Sequence, residues 1–287
     1  MSDLTRTIRL RMAYEGTRYS GWQIQPGRAT VQGAVAEAVR RVTGETVMPK
    51  GSSRTDAGVH ALDQAAAFTT ASPLEPEVWR RALNDHLPDD ITVTAADLAP
   101  SGFDPVVAAV RKRYRYRIHD TDTKPVLSRH VVWRWRGRLD VAAMAAAADT
   151  LVGEHDFTSF ETTPSTRLSK VRTIHSLSVF RPALANDALG AEAWIEVEGN
   201  GFLYNMVRII AGSLALVGAG RRSPGWLAEA LAARNRSAAG PTAPPQGLVL
   251  VSIQLAPDSL APDSLALDPP LEPGTPPCPN CLNDSAP

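Results

Sequence analysis

The chain is poor in cysteine: of 287 residues only Cys278 and Cys281 are cysteine, both in the last ten positions. That excludes a disulfide framework and favours a reducing compartment. No apolar run approaches the roughly 18 residues that span a bilayer. The opening Met1-Ser2-Asp3-Leu4-Thr5-Arg6 starts no apolar stretch of signal-peptide length. Together these features predict a cytoplasmic protein. Also missing are a Gly-x-x-x-x-Gly-Lys-Ser/Thr phosphate loop, a Gly-x-Gly-x-x-Gly turn after a strand, and His-Glu-x-x-His. The six histidines are too scattered to suggest a metal cluster. Ser52 and Ser53 lie outside any Gly-x-Ser-x-Gly elbow. Cys278-Pro-Asn-Cys281 has the spacing of half a zinc site, but no second pair or nearby histidine completes it. The expectation is therefore no metal and no cofactor, with carboxylates, basic residues and aromatics left to carry the chemistry.

Net charge is lacking too, at 30 basic against 30 acidic residues, but the balance is uneven. Five acids and no Lys or Arg fall in 256–287, which leaves the body with 30 basic against 25 acidic residues. Residues 111–138 hold ten Lys/Arg and only Asp120 and Asp122 against them. Such a patch is the footprint of a polyanion partner, or alternatively a solvated strand face. The tail from Ala256 repeats Ala-Pro-Asp-Ser-Leu, and nine of its 32 residues are proline. A segment of this kind cannot bury enough apolar surface to order itself, so 256–287 is predicted to be disordered.

What remains is periodic. Ile8, Leu10 and Met12 alternate with polar residues over 5–14, the pattern of a half-buried strand. Thr30 reads as the cap of a helix bearing Val31, Val35, Ala38, Val39 and Val42 on one face, stopped at Gly44. A short strand at Val47–Met48, a polar loop over 51–60, strands at 65–70 and 91–98 and a helix at 76–85 complete a first round. A second round follows from Arg111. It has strands at 111–118 and 131–136, a helix at 140–151, strands at 170–180 and 193–199, helices at 206–217 and 224–233, and a closing strand at 248–255. Ser223 is expected to cap the last helix, with Pro224 at its first position. Two similar rounds of hairpin strands with covering helices predict an α+β fold of two mixed lobes with largely antiparallel sheets, 1–105 and 106–255.

The densest polar loop is Gly51-Ser52-Ser53-Arg54-Thr55-Asp56-Ala57-Gly58-Val59-His60. On residue type alone Asp56 is a turn acid or helix cap. Its setting says more. Arg54-Thr55-Asp56-Ala57-Gly58-Val59-His60-Ala61 resembles the catalytic signature of the tRNA pseudouridine synthase A (TruA) family. Six further blocks agree in order: Tyr14-Glu15-Gly16 with Tyr19-x-Gly21-Trp22-Gln23-x-Gln25; Leu83-Asn84-x-x-Leu87-Pro88; Lys112-Arg113-Tyr114-Arg115-Tyr116; Gly153-Glu154-x-Asp156-Phe157-Thr158-Ser159-Phe160; Asn200-x-Phe202-x-x-x-Met206-Val207-Arg208; and Gly247-Leu248-x-Leu250.

The resemblance implies the pseudouridine synthase fold and isomerisation of uridines 38–40 in the tRNA anticodon arm, by a homodimer without cofactor. It makes Asp56 the catalytic carboxylate, held ionised by a cation that depresses its pKa, and gives that part to Arg208. It sets Tyr114 against the base, uses Arg54 to fill the place of the flipped nucleotide, and makes Leu248 an apolar wall. The arginines of both basic strands, Arg113, Arg115 and Arg117 on the first and Arg134 and Arg136 on the next, are expected to line the RNA path through phosphates. Trp133 and Trp135 read as core. His60 and Asn84 read as loop-shaping. An RNA-binding module that has lost catalysis is the alternative. Two positions depart from the pattern: Ser53 stands where the family usually has glycine, and Val106 where it usually has arginine.

Overall fold

A computed structural model describes residues 5–162, 169–182 and 192–257. The predicted disordered tail lies outside the described residues from 258 onward, Cys278 and Cys281 included. The chain folds as predicted into a mixed α/β structure with a mostly antiparallel sheet.

The first round gives β1 (Arg6–Tyr14), α1 (Val31–Thr43), β2 (Lys50–Gly51), β3 (His60–Thr70), α2 (Pro76–His86) and β4 (Ile91–Ala99). The second gives β5 (Ala109–His119), β6 (Trp133–Arg134), α3 (Val141–Ala148), β7 (Gly153–Asp156), β8 (Val171–Phe180), β9 (Glu192–Gly199), α4 (Met206–Gly218), α5 (Trp226–Ala232) and β10 (Leu248–Leu255). The strands form one sheet in the order β4-β1-β3-β10-β5-β9-β8-β7, with β2 on β3 and β6 on β5. Among the described residues only β3–β10 and β5–β6 run parallel. The last strand therefore lies at the centre, stitching the first round to the second.

Alternation in β1 does what its pattern predicts: Ile8, Leu10 and Met12 are fully buried, while Arg9 and Arg11 turn to the other face and pair with Asp97 and Asp63. Register carries the buried face across the sheet. Met12 lies opposite Gln64 and Tyr14 opposite Ala61; Ala61 lies beside Leu250, and Leu250 opposite Tyr114. Helices cover this face at both ends. Thr30 caps α1 by accepting from the Gly33 N–H, and Trp79 of α2 meets Phe68 edge-on at 5.1 Å. α4 is apolar almost all round and is the most deeply buried helix.

Three local readings need correction, and one strand went unread. Val47–Met48 is not a strand: Met48 is 62% exposed, Pro49 has no N–H to pair, and the ladder starts at Lys50–Gly51. The strand expected over 131–136 is only Trp133–Arg134, although both tryptophans pack on the core, edge-on to each other. α5 begins at Trp226, and Ser223 serves it through its backbone carbonyl instead of its side chain. β7 has no apolar alternation in Gly-Glu-His-Asp and gives no strand signal.

Candidate active site

The loop between β2 and β3 lies on the helix-bearing face, over the middle strands, and it is held from below by one buried amide. Gln64, fully buried in β3, accepts from the Ser53 N–H at 3.1 Å and donates to the Ser53 carbonyl at 2.6 Å. It also donates to the Tyr14 hydroxyl at 3.2 Å, and that hydroxyl bonds Thr55 Oγ1 at 2.8 Å. Burial pushes the Tyr14 phenol up to about 12, so it stays neutral and able to bridge. From the side, the Trp22 N–H donates to the Thr55 carbonyl. Gly21 permits this approach: its φ is +87°, and a Cβ there would sit 2.5 Å from the Thr55 oxygen. A turn then reverses the chain, with the Val59 N–H bonded to the Asp56 carbonyl and Gly58 at φ +76°.

His60 closes the loop. Its Nδ1 accepts from the Gly16 N–H at 3.0 Å, so the proton sits on Nε2, which donates to the Gln246 carbonyl at 3.2 Å. Glu15 is 3.6 Å from Nδ1, but an acceptor nitrogen is unprotonated, and burial lowers the His60 pKa in agreement. Asn84 clasps both backbone groups of Val93, tying α2 to β4. Both residues shape the scaffold.

Asp56 is brought to Arg208, which reaches over from the first turn of α4: guanidinium Nη1 stands 3.3 Å from Asp56 Oδ2. The same Nη1 donates to Asn205 Oδ1 at 2.7 Å, and Nε donates to the Ala243 carbonyl at 2.8 Å. Asn205 is itself in the left-handed region (φ 62°) and pinned by Thr162. Arg208 is thus shared among three acceptors, and Asp56 has the longest bond. The expected depressed pKa is not what this geometry produces. Burial pushes the Asp56 carboxyl above its ordinary value, with Arg208 pulling it down only in part.

Tyr114 is buried beside this pair. Its hydroxyl is 2.7 Å from Ser53 Oγ, and its ring meets Phe202 edge-on at 5.3 Å. Burial and the nearby Asp56 charge both raise its pKa, keeping the phenol neutral. Tyr116 lies deeper, as expected of a core residue, its hydroxyl donating to the Pro244 carbonyl. Leu248 is buried at the start of β10, in register with Tyr116. Arg54 is exposed between buried Ser53 and Thr55, and has no hydrogen bond or ion pair among the described residues.

Arg113 and Arg115 are not brought to this site. They point to the opposite sheet face from Tyr114, where Arg113 and Arg111 pair with Glu198, Arg115 with Glu196 and Arg117 with Glu192. Arg115 also lies over the Trp194 ring at 4.1 Å. Beyond β5 the exposed cations of the basic stretch are Lys124, Arg129, Arg136 and Arg138, the last of them 3.6 Å from Asp120; Arg111 and Arg113 are exposed too, but on β5 and paired with Glu198. Val106 is half-buried in a turn, its N–H bonded to Asp104 Oδ1 at 2.8 Å.

Several supporting residues went unread. Gln64 had a signal, a polar residue ahead of the small apolar run Ala65-Ala66-Ala67. Phe202 had none beyond its place in a motif, and Asn205 and Ala243 had none at all.

One carboxylate, one shared arginine and a neutral tyrosine fit a class of enzyme that works through a single carboxylate. Comparison makes the class specific. Residues 11–104 and 147–254 match the family described as tRNA pseudouridine synthase. A tRNA pseudouridine synthase A of Brevibacillus brevis is 45% identical over 245 residues, 85% of this chain and 98% of its own length. Those of Geotalea uraniireducens and Myxococcus xanthus are 44% and 42% identical, each over 86% of this chain and over 99% and 91% of their own lengths. The chain belongs to the tRNA pseudouridine synthase family.

Proposed function

We propose that this protein isomerises uridine to pseudouridine at positions 38–40 of the tRNA anticodon arm, with Asp56 as its catalytic carboxylate. The observation that carries the reading is the meeting of Asp56, Arg208 and Tyr114, drawn from three distant parts of the chain, over one sheet face. The relatives' names support the substrate. The reaction breaks the bond from uracil N1 to the ribose, turns the base and rejoins it through C5, so one group able to attack or to take a proton suffices. A carboxylate with a raised pKa is more basic once ionised, which suits either task.

Around it, the Tyr114 ring is the surface for the uracil, with Phe202 behind it. Leu248 is an apolar wall against water. Arg54, exposed at the lip two residues from Asp56, fills the space left by the flipped nucleotide. The backbone of the arm lies along the exposed cations of 124–138. The reading includes a homodimer acting in the cytoplasm, with lobes 1–105 and 106–255. The family resemblance supports the dimer; for the location, no helix among the described residues is long and apolar enough to cross a membrane. tRNA tritiated at uridine C5 tests the activity: label passes to water while no free uracil appears. Free uracil, or label retained in the RNA, refutes it.

A further inference from the structure

Ser53 stands immediately before Arg54-Thr55-Asp56, and its side chain does something that a glycine there could not. Its backbone is fixed on both sides by Gln64, through the N–H at 3.1 Å and the carbonyl at 2.6 Å. With φ and ψ so constrained and the residue only 8% exposed, the hydroxyl has little freedom, and it is aimed at the Tyr114 hydroxyl 2.7 Å away. The Tyr114 hydroxyl makes no other hydrogen bond among the described residues, and Phe202 meets its ring. The Ser53 bond therefore fixes where the Tyr114 oxygen sits and so helps to set the tilt of its ring, whichever hydroxyl donates. A phenol without this bond rotates about its C–O bond, and its ring is held by packing alone.

We propose that Ser53 is a positioning residue for Tyr114, its hydroxyl holding the phenol in the orientation that presents the ring to the flipped uracil. This rests on the reading of Tyr114 as the residue facing the base. Ser53 itself touches no substrate. Its effect belongs to the chemical step after the RNA has docked, because docking rests on the charged surface outside the pocket.

The test uses Ser53→Ala and Ser53→Gly, both lacking the hydroxyl, and Tyr114→Phe beside them. Single-turnover label release with enzyme in excess is measured together with tRNA Kd and melting temperature. Both Ser53 variants should react about fivefold more slowly, the size of one net hydrogen bond, with Kd within about twofold of wild type and melting changed by no more than about 2 °C. Tyr114→Phe should lose at least about tenfold. A Ser53→Ala rate within about 1.5-fold of wild type overturns the inference. So does a raised Kd at unchanged rate, a rate loss that only follows the folded fraction, or disagreement between Ala and Gly. Full activity in Tyr114→Phe is a separate failure, since it removes the reading of Tyr114 itself.

Discussion

Replacing Asp56 by asparagine separates catalysis from stability more sharply than any other change in the site. The side chain keeps its shape and can still accept from Arg208, but it loses its charge and nearly all its nucleophilicity. If Asp56 carries the reaction, label release should fall at least about a thousandfold, or roughly 4 kcal/mol of barrier. Removing half of a buried ion pair ordinarily destabilises a protein by stranding the partner. Here Arg208 keeps Asn205 Oδ1 at 2.7 Å and the Ala243 carbonyl at 2.8 Å, so it is not stranded. The Asp56 pKa is raised by burial, so the folded state holds the Asp56 proton more tightly than the unfolded chain does. That contribution to stability is complete below the unfolded pKa and is lost as pH rises through the folded one. Asparagine has no such loss. Asp56→Asn should therefore melt at or above wild type at pH 8, with the advantage shrinking towards pH 4. Melts across that range and the tritium assay together decide the matter. A folded variant retaining a tenth of wild-type turnover refutes the catalytic assignment. A variant less stable than wild type at pH 8 but equal to it at pH 4 refutes the electrostatic reasoning.

Gly21→Ala combines a left-handed backbone with a Cβ 2.5 Å from the Thr55 oxygen, so about 3 kcal/mol of destabilisation and a melting drop of about 10 °C are expected. Unchanged melting would mean that the 21–22 segment does not buttress the loop carrying Asp56. Arg115→Ala loses Glu196 and the Trp194 ring, which should cost about 1 kcal/mol in chemical denaturation and leave the salt dependence of tRNA binding unchanged. A slope reduced by about one unit would put Arg115 on a phosphate after all. Replacing Lys124, Arg129 and Arg136 together by alanine should reduce that slope by about two to three units while saturated turnover persists. An unchanged slope would place the RNA elsewhere.

Local pattern made most of the fold legible. Alternation at Ile8, Leu10 and Met12, the Thr30 cap and the Pro76 start each state a local preference that the tertiary structure respects. The loop carrying Asp56 was legible because its motif is contiguous. The arginines of β5 show where such reading stops. Alternation set Arg113 and Arg115 on the face opposite Tyr114, but their role depends on which strand lies alongside. That strand is β9, some 80 residues later, where Glu196 and Glu198 recur at the same period of two. Only the pairing register turns two charged stripes into a ladder of ion pairs. Burial at Asp56 is hidden for the same reason: the groups that desolvate it come from both rounds of the chain, so its pKa direction is a property of the assembled sheet.

The sharing of Arg208 also bears on how one carboxylate can change charge state during a reaction. On the proposed function, Asp56 is an anion before it reacts and neutral once it has formed a bond or taken a proton. An arginine fixed by the carboxylate alone would lose its counterion and its position together at that moment. Arg208 is fixed instead by Asn205 and Ala243, neither of which changes charge. Its remaining contact with Asp56, at 3.3 Å, is strong enough to offset part of the burial penalty yet too weak to hold the carboxylate in the ionised form at any cost. A cation held in place independently of the reacting group needs no reorganisation when that group's charge is consumed, and the same cation waits for the charge to return when the base is released. Asn205, in the left-handed region that asparagine tolerates and pinned by Thr162 at the start of α4, sets this cation in place through its Oδ1.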